Sequence, residues 1–489
     1  MKLTWNKLLC SETLAEKEKA PSSWVDYPLD PFEQDYREII SSVSFRHIQD
    51  KAQVYQLKRG NYVRTRLTHS LEVSTIAKQL GIMLVYNEKW NRIPVFKDLP
   101  VDQARAIPTV LACAGLLHDM GNPPFGHEGE YAIGFWFRKR LEDRDFTYHG
   151  TPVRDLLTER MKRELCSFDG NAQVIRTLAK CRFPSEEQEA NVSYATISAL
   201  LKYPVSSMEC DPVSEDPRVR KSGFFLSEEA LVRRIREKTG MDLPGEPYAR
   251  NPLTVILEAS DDIAYVTSDI EDAVSKHSIG ISQLVSFMEK EVEALPEGET
   301  ETERMQVLTV QGMLRNLTNR LETCDRGDHR GREEQLHKWT NYMRNWLMYV
   351  CAGSFVSNWE AIMDGTYRGE LLKSSYHRYT IEILKKAMRL YVYPAISDIH
   401  ITAYTILDDL MSKFCNAVVE WDGENTADNI KKAYVEQIPE RVKAAYLKER
   451  TGDEIFDLYL RFRMVSDYIA DMTDGYALDL YQKLNGYTL

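Results

Sequence analysis

The sequence predicts a mainly α-helical protein. Apolar residues recur at helical spacing in long segments of the 489 residues, and the alternating runs typical of strands are rare. Hydrophobic residues make up 43% of the chain, which is enough for a large core. The predicted helices cover 68–80, 107–117, 252–274, 304–323, 334–351, 376–393, 402–420 and 454–471.

Three of these helices carry distinct signals. The helix 68–80 has an apolar stripe and is expected to end at Gly81, because glycine commonly follows the last helical turn. The stretch 107–117 is nearly all apolar and predicts a buried helix. The helix 252–274 has Pro252 near its first turn, where proline is well tolerated.

Clusters of Gly, Pro and short polar residues predict the loops, which are 120–127, 204–223, 240–252 and 294–301. The loop 204–223 is rich in Pro, Asp, Glu and Ser, and we expect it to be a surface insertion or a mobile loop. No compositional break divides the chain. The predicted regions are an N-terminal segment at 1–44, a catalytic core at 45–280 and a helical C-terminal region at 281–489 that packs on the core.

Composition limits the class of protein. The net charge is -12, so a polyanionic substrate would need a local basic patch or a bound metal ion. No apolar run approaches the roughly 18 residues of a membrane span, and the N-terminus lacks the apolar centre of a secretory signal. The eight cysteines form no CxxC pair, which favours reduced, buried thiols. We therefore expect a soluble, cytoplasmic protein.

Residues able to bind a metal ion lie in three separated segments, RTRLTHS (64–70), LLHDMGNPPFGHEGE (116–130) and LEASDDIAYVTSDIEDA (257–273). They supply His69, the adjacent pair His118 and Asp119, and an aspartate at 261 or 262. Two imidazoles and two carboxylates are a common ligand set for a divalent ion. The sequence therefore predicts a metal site assembled from distant parts of the chain.

The residues after the His-Asp pair predict a second chemical group. The run Gly-Asn-Pro-Pro at 121–124 forces a turn, so the chain doubles back. His127 and Glu130 are then expected to face the same cavity as the metal ligands. Both are suited to proton transfer around an activated water.

The helix 252–274 presents a row of polar side chains. Asp261, Tyr265 and Asp269 are spaced i, i+4 and i+8, so each is displaced by about 40° around the axis from the one before. All three can project into one cavity, whereas Asp262 lies about 100° from Asp261. The spacing does not decide which aspartate binds the metal.

At these residues the sequence resembles the HD-domain deoxynucleoside triphosphate triphosphohydrolases, and most closely the bacterial dGTPases. The matching segments between about 45 and 275 are RTRLTHSLEVSTIAKQLG, GLLHDMGNPPFGHEGE, FDGNAQVIRTL, ATISALLKYP and ILEASDDIAYVTSDIEDA, with a weaker match in RFRMVSDYIADMTDGYAL (461–478). The turn after the His-Asp pair is specific, because generic HD phosphohydrolases lack it. The resemblance implies an HD-domain helical fold with additional C-terminal helices.

The resemblance also implies roles for individual residues. The ligands of Mn²⁺ or Mg²⁺ would be His69, His118, Asp119 and, in preference to Asp262, Asp261. His127 and Glu130 would act in acid–base chemistry near the α-phosphate. Gln53 and Asp269 would hold the sugar, Tyr265 would pack where a 2′-hydroxyl would sit, and the triphosphate would contact Arg66, Asn171, Lys202 and Tyr203.

The implied reaction releases a deoxynucleoside and inorganic triphosphate from a dNTP after water attacks the α-phosphorus. The leading substrate prediction is dGTP, and broader dNTP use stays open. The family forms homo-oligomers, often hexamers, and its C-terminal helices contribute to base recognition. Arg461 and Arg463 are candidates for contacts across such an interface.

Two other functions compete with this prediction. A different HD phosphohydrolase acting on nucleotides would share the metal ligands but would not need the turn at 120–127. A nucleotide-sensing or single-stranded nucleic-acid-binding module could keep the scaffold without catalysis. A basic stripe is usually a solvated face, and part of this one is expected to serve the triphosphate, with secondary binding of single-stranded DNA left open; its members are Lys51, Lys58, Arg59, Arg64 and Arg66.

Overall fold

A computed structural model describes residues 2–14, 30–53, 64–180, 190–325, 327–391, 397–421, 423 and 428–487. This described part contains 22 α-helices and one small antiparallel sheet, in which Thr147–Tyr148 (β1) pairs with Thr151–Pro152 (β2). The prediction of a mainly α-helical protein is therefore confirmed. In the described part of the chain, no helix has an apolar stretch long enough to cross a membrane.

The first eleven helices are α1 Trp5–Leu8, α2 Pro31–Ser41, α3 Val43–His47, α4 Arg66–Tyr86, α5 Val101–Leu117, α6 His127–Glu142, α7 Val153–Leu156, α8 Glu159–Cys166, α9 Gly170–Ala179, α10 Tyr194–Leu200 and α11 Glu229–Lys238. The others are α12 Pro252–Ser275, α13 Ile281–Glu293, α14 Glu301–Leu321, α15 His329–Ser357, α16 Trp359–Met363, α17 Arg378–Tyr391, α18 Ser397–Val418, α19 Asn429–Gln437, α20 Glu440–Glu449, α21 Glu454–Ala470 and α22 Asp474–Leu484. Each of the eight helices predicted from the sequence overlaps one of these.

The chain forms two compact units. Unit 1 comprises residues 1–3, 71–115 and 251–397, and unit 2 comprises residues 4–70, 116–250 and 398–489. Helices α4 and α5 each have residues in both units. The region boundaries proposed from the sequence, after residues 44 and 280, stay a prediction.

Unit 1 is organised around the buried helix α12, which packs against α15 and α17. Its start follows the sequence signal, because Pro252 occupies the first helical turn and the Asn251 side chain accepts a hydrogen bond from the Leu253 backbone N–H. The predicted helix 252–274 is therefore confirmed almost residue for residue.

Gly81 does not end its helix, so that prediction is wrong. Helix α4 continues to Tyr86, five residues beyond the glycine. A Cβ atom at Gly81 would lie 3.0 Å from the Pro108 Cα and 2.9 Å from Leu111 Cδ1, both on α5. The glycine therefore permits two helices to approach closely, which local sequence cannot distinguish from a helix end.

Unit 2 has an aromatic core built from α6, α18 and α21. The Phe137 and Phe462 rings lie 5.8 Å apart, and the Trp136 indole N–H donates to Ser412 Oγ at 2.8 Å. Arg461 and Arg463 are also buried here, donating to the Trp421 carbonyl and to Gln173 Oε1 respectively. The prediction that these two arginines make contacts across a subunit interface is wrong, because both are used inside the chain.

The segment 204–223 is packed more tightly than its composition suggested. Arg218 and Val219 are buried, and the Arg218 guanidinium donates to the Asp216 carboxylate and the Tyr248 carbonyl. The Gly223 N–H donates to the Val205 carbonyl at 3.0 Å. Residues 211–213 are exposed, as expected for a surface segment, whereas Arg218 and Val219 pack inside. The mobility of the segment stays a prediction.

A buried histidine makes the stability of unit 1 depend on pH. His377 is 2% exposed, and its Nε2 accepts a hydrogen bond from the Trp346 indole N–H at 2.5 Å. Burial lowers the pKa of His377 to about 4. Because the unfolded chain has a histidine pKa near 6.5, it binds the proton first, and the stabilisation by neutral His377 is lost as the pH falls from about 6.5 towards 4.

We expect this histidine to cost unit 1 about 3 kcal/mol of unfolding free energy between pH 7 and pH 4. His377→Gln keeps an acceptor for Trp346 but cannot titrate, so its stability should fall less over this range. The measurement is urea denaturation followed by tryptophan fluorescence at several pH values, with the exposed His329→Gln as the control. If the unfolding free energies of wild type and His377→Gln fall by the same amount over this pH range, the prediction is wrong.

Candidate active site

Three of the predicted metal ligands come together in unit 2. His69 lies in the first turn of α4, and His118 and Asp119 follow directly on the buried end of α5. One ligand atom from each residue lies within 4.8 Å of the other two, and the imidazole rings are 5.4 Å apart. Two imidazole nitrogens and a carboxylate oxygen suit a divalent transition ion, so this donor set fits a metal.

The Asp119 carboxylate is held at both oxygens. Arg66 Nη1 lies 2.6 Å from Oδ2, and the Asn122 amide nitrogen donates to Oδ1 at 2.6 Å. Arg66 is itself buried. Groups that orient a ligand in this way tune the affinity of metal sites, so both residues belong to the architecture of this site.

The turn after the His-Asp pair brings further polar groups towards Asp119. A Cβ atom at Gly121 would lie 2.1 Å from the Gly170 carbonyl oxygen, so the turn packs directly on the start of α9. A Cβ atom at Gly170 would lie 2.4 Å from Asn122 Oδ1 and 2.9 Å from Glu130 Oε1. The chain therefore doubles back as predicted and places Glu130 beside the amide that orients Asp119.

His127 and Glu130 form a hydrogen-bonded pair in the first turn of α6. His127 Nδ1 lies 2.9 Å from Glu130 Oε2, and Glu130 Oε1 accepts from the Gly170 N–H at 2.7 Å. The His127 side chain is 80% exposed whereas that of Glu130 is 10% exposed. The buried Glu130 carboxylate is therefore hydrogen-bonded to a His127 ring that is exposed.

The two pKa values of this pair shift in opposite directions. The hydrogen bond to Glu130 raises the pKa of His127 above its usual value. Burial acts to raise the pKa of Glu130, but the hydrogen bond and charge of His127 outweigh it and hold that pKa below its usual value. The contact therefore favours the state in which His127 is an imidazolium and Glu130 is a carboxylate.

A cationic side chain that the sequence analysis missed lies near this pair. Lys221 Nζ is 2.9 Å from Asp169 Oδ2, and Asp169 Oδ1 accepts from the Asn171 amide at 2.9 Å. Burial acts to lower the pKa of Lys221, but the charges of Asp169 and Glu130 hold it above its usual value. Lys221 lies in the predicted loop 204–223, where no local pattern identifies it as a site residue.

Lys202 and Tyr203 follow α10 and lie beside the same segment. The Lys202 ammonium is 5.6 Å from the centre of the Tyr203 ring, and both side chains are half-buried. A Cβ atom at Gly223 would come within 1.8 Å of the Tyr203 carbonyl oxygen. Lys221 and Asn171 therefore meet at Asp169, the residue before α9, and Lys202 and Tyr203 lie next to the segment that carries Lys221.

The predicted sugar-binding residue Gln53 also belongs to unit 2. Its backbone N–H donates to the Arg64 carbonyl at 3.2 Å. Its side-chain Oε1 is buried and has no hydrogen-bond partner among the described residues. This oxygen is therefore an acceptor that a ligand could use.

The basic stripe predicted around Gln53 is not one exposed surface. Lys51 is 1% exposed and donates to main-chain carbonyls, and burial lowers its pKa to about 8. Arg66 is buried against Asp119. Lys58 and Arg59 lie outside the described residues. Lys51 is therefore not part of an exposed basic face, because its ammonium is bonded inside the protein. Binding of single-stranded DNA stays a prediction.

The remaining predicted residues lie on α12 in unit 1. Asp262 Oδ1 is 2.6 Å from Lys385 Nζ of α17, so this carboxylate is engaged within unit 1. Asp269 is 1% exposed, and Asp261 and Tyr265 are half-buried. The assignments of Asp261 as a metal ligand and of Tyr265 and Asp269 to the sugar stay predictions.

Two protein families match parts of the chain. Residues 66–204 match the HD domain, which includes His69, His118 and Asp119. Residues 374–483 match the phosphohydrolase-associated domain, which includes most of the C-terminal helices.

Full-length relatives extend this match. The chain is 36% identical to a deoxyguanosinetriphosphate triphosphohydrolase-like protein of Listeria monocytogenes, over 99% of this chain and 100% of that protein. A protein of the same name from Listeria innocua is equally similar. The deoxyguanosinetriphosphate triphosphohydrolase of Yersinia pseudotuberculosis is 30% identical over 93% of each chain. The chain is therefore an enzyme of the deoxyguanosinetriphosphate triphosphohydrolase family of HD-domain phosphohydrolases.

Proposed function

We propose that this enzyme hydrolyses deoxynucleoside triphosphates, dGTP foremost, to the deoxynucleoside and inorganic triphosphate. The observation that carries the proposal is the close grouping of His69, His118 and Asp119, with the His127–Glu130 pair attached to the same turn. The names of the relatives from Listeria and Yersinia support the choice of substrate and product.

The metal would be held by the three grouped residues together with Asp261 of α12. The ion would be Mn²⁺ or Mg²⁺, because carboxylate oxygens suit both, and the two imidazoles favour the transition ion Mn²⁺. Such an ion would offset charge on the α-phosphate and assist in activating water. Arg66 and Asn122 hold the Asp119 carboxylate in one orientation, so this ligand needs little rearrangement on binding.

Proton transfer would fall to the His127–Glu130 pair. Because Glu130 binds Nδ1, it orients the exposed ring and leaves Nε2 to exchange a proton with the attacking water. The buried carboxylate stabilises the imidazolium that forms, and the Gly170 N–H at the start of α9 holds that carboxylate in place. The raised pKa of His127 follows from the same contact.

Substrate binding would use cationic side chains, which locally offset the net negative charge of the protein. Lys202, Lys221 and Arg66 would face the triphosphate, with Asn171 and Tyr203 beside them. Gln53 Oε1 and Asp269 would accept hydrogen bonds from the sugar, and Tyr265 would exclude a 2′-hydroxyl by contact. We further propose a cytoplasmic homo-oligomer, often hexameric in the family that the sequence resembles.

The reaction is tested by its products. We expect purified protein with Mn²⁺ to convert dGTP to deoxyguanosine and triphosphate, more slowly to use the other three dNTPs, and not to use GTP. Ion-exchange chromatography separates triphosphate from pyrophosphate and phosphate. Release of dGMP and pyrophosphate would exclude attack that breaks the bond to O5′, and release of single phosphates would favour another class of HD phosphohydrolase.

Removal of the imidazole should lower turnover. We expect His127→Ala to reduce kcat by about 10²–10⁴-fold, because one positioned proton carrier contributes that much. His149→Asn replaces another exposed histidine of unit 2 and should leave kcat unchanged. Wild-type turnover by His127→Ala would contradict the role.

The pair also makes a prediction about protonation. In metal-free protein the His127 pKa should lie above 6.5, and Glu130→Gln should lower it, because the carboxylate favours the imidazolium. Stabilisation by this pair is lost as the pH rises through the raised pKa of His127, and as it falls through the lowered pKa of Glu130. Nuclear magnetic resonance titration of the imidazole measures the shift. An unchanged pKa in Glu130→Gln would contradict the assignment.

A further inference from the structure

Lys51 is a buried cation with two long-range partners. It is 1% exposed, and its ammonium donates to the Asn122 carbonyl at 2.8 Å and to the Ala470 carbonyl at 2.6 Å. Asn122 lies in the turn after the His-Asp pair, and Ala470 is the last residue of α21. One side chain therefore joins the candidate site to the C-terminal helices.

Asp474 joins the same three parts of unit 2 with the opposite charge. It is 4% exposed and is the first residue of α22. Its Oδ2 accepts from the Ala52 N–H at 3.0 Å, and its Oδ1 accepts from the Phe125 N–H at 2.9 Å. Lys51 and Asp474 thus make four hydrogen bonds that connect residues 51–53, 122–125 and 470–474.

Both groups that hold the Asp119 carboxylate are attached to Lys51. The Arg66 N–H donates to the Lys51 carbonyl at 2.8 Å, and the Arg66 guanidinium binds Asp119 Oδ2. The Lys51 ammonium binds the Asn122 carbonyl, and the Asn122 amide binds Asp119 Oδ1. A displacement of Lys51 would therefore be transmitted to both oxygens of a metal ligand.

We propose that Lys51 and Asp474 are positioning residues that fix the orientation of Asp119 and the place of Gln53 from the end of the C-terminal helices. The assignment of Asp119 as a metal ligand and of Gln53 to the sugar rests on the proposed function. Packing alone does not require this lysine, because a methionine could fill similar space. The ammonium adds two directed bonds to carbonyls that would otherwise lack these donors.

The test measures Mn²⁺ binding to the metal-free full chain by electron paramagnetic resonance, with kcat and KM as a second readout. We expect Lys51→Met to weaken Mn²⁺ binding by about tenfold or more, the usual effect of losing a group that orients a ligand. Lys51→Arg keeps a cationic donor and should retain most of the affinity. Asp474→Asn should weaken Mn²⁺ binding and raise KM, because it loosens both the turn and the Gln53 segment.

Two matched controls separate positioning from general stability. Lys413→Met removes a paired lysine on α18 of the same unit, which binds Asp409 and Asn485. Asp453→Asn alters a carboxylate that also accepts two main-chain N–H groups, but from its own helix, α21. Both control variants should lower the thermal midpoint. Their Mn²⁺ affinity should stay within about twofold of wild type, a much smaller change than the loss expected for Lys51→Met.

The outcomes are distinct. Wild-type Mn²⁺ affinity in folded Lys51→Met and Asp474→Asn proteins would overturn the proposal, as would an equal loss in the two controls. If Lys51→Met does not fold, the Mn²⁺ affinity of the nearly isosteric Asp474→Asn variant decides whether the proposal holds. If wild-type protein yields no triphosphate from any dNTP, the proposed function is wrong. Weaker Mn²⁺ binding in the variants would still support the positioning role in that case.

Discussion

The candidate site depends on one carboxylate, that of Asp119, and on how both of its oxygens are held. A carboxylate at the end of a buried helix is costly unless it is paired and hydrogen-bonded. Arg66 supplies the charge and Asn122 supplies the amide. These two residues are bound in turn by Lys51, so this carboxylate is supported through main-chain and side-chain bonds together.

The polar groups of the site are concentrated at helix ends. His69 lies near the start of α4, His118 and Asp119 follow α5, and the His127–Glu130 pair opens α6. The start of α9 donates an N–H to Glu130. Helix ends carry main-chain groups without helical partners, so a mainly α protein can assemble polar chemistry there without breaking its helices.

The C-terminal helices contribute directly to the same unit. Arg176 of α9 is buried and pairs with Glu228, Glu449 and Asp467, and the last two of these belong to α20 and α21. Removing one partner from such a buried network would leave an uncompensated charge, so the loss of any one of these groups would destabilise the contact between α9 and the C-terminal helices. This arrangement gives a physical role to the segment matched by the phosphohydrolase-associated domain.

Local features of the chain were enough to predict eight of the helices and the turn after the His-Asp pair, because helical spacing and turn composition are local properties. Helix α6 and the hydrogen bond between His127 and Glu130 in its first turn emerged only from the structure. The sequence also identified three side chains that meet in unit 2 and could hold a metal ion, through motifs shared with a family. Tertiary structure alone revealed Lys221, the burial of Arg461 and Arg463, and the packing role of Gly81. It alone showed that Lys51 and Asp474 reach partners up to 422 residues away, since no periodicity records which distant carbonyl or N–H a buried charge will meet.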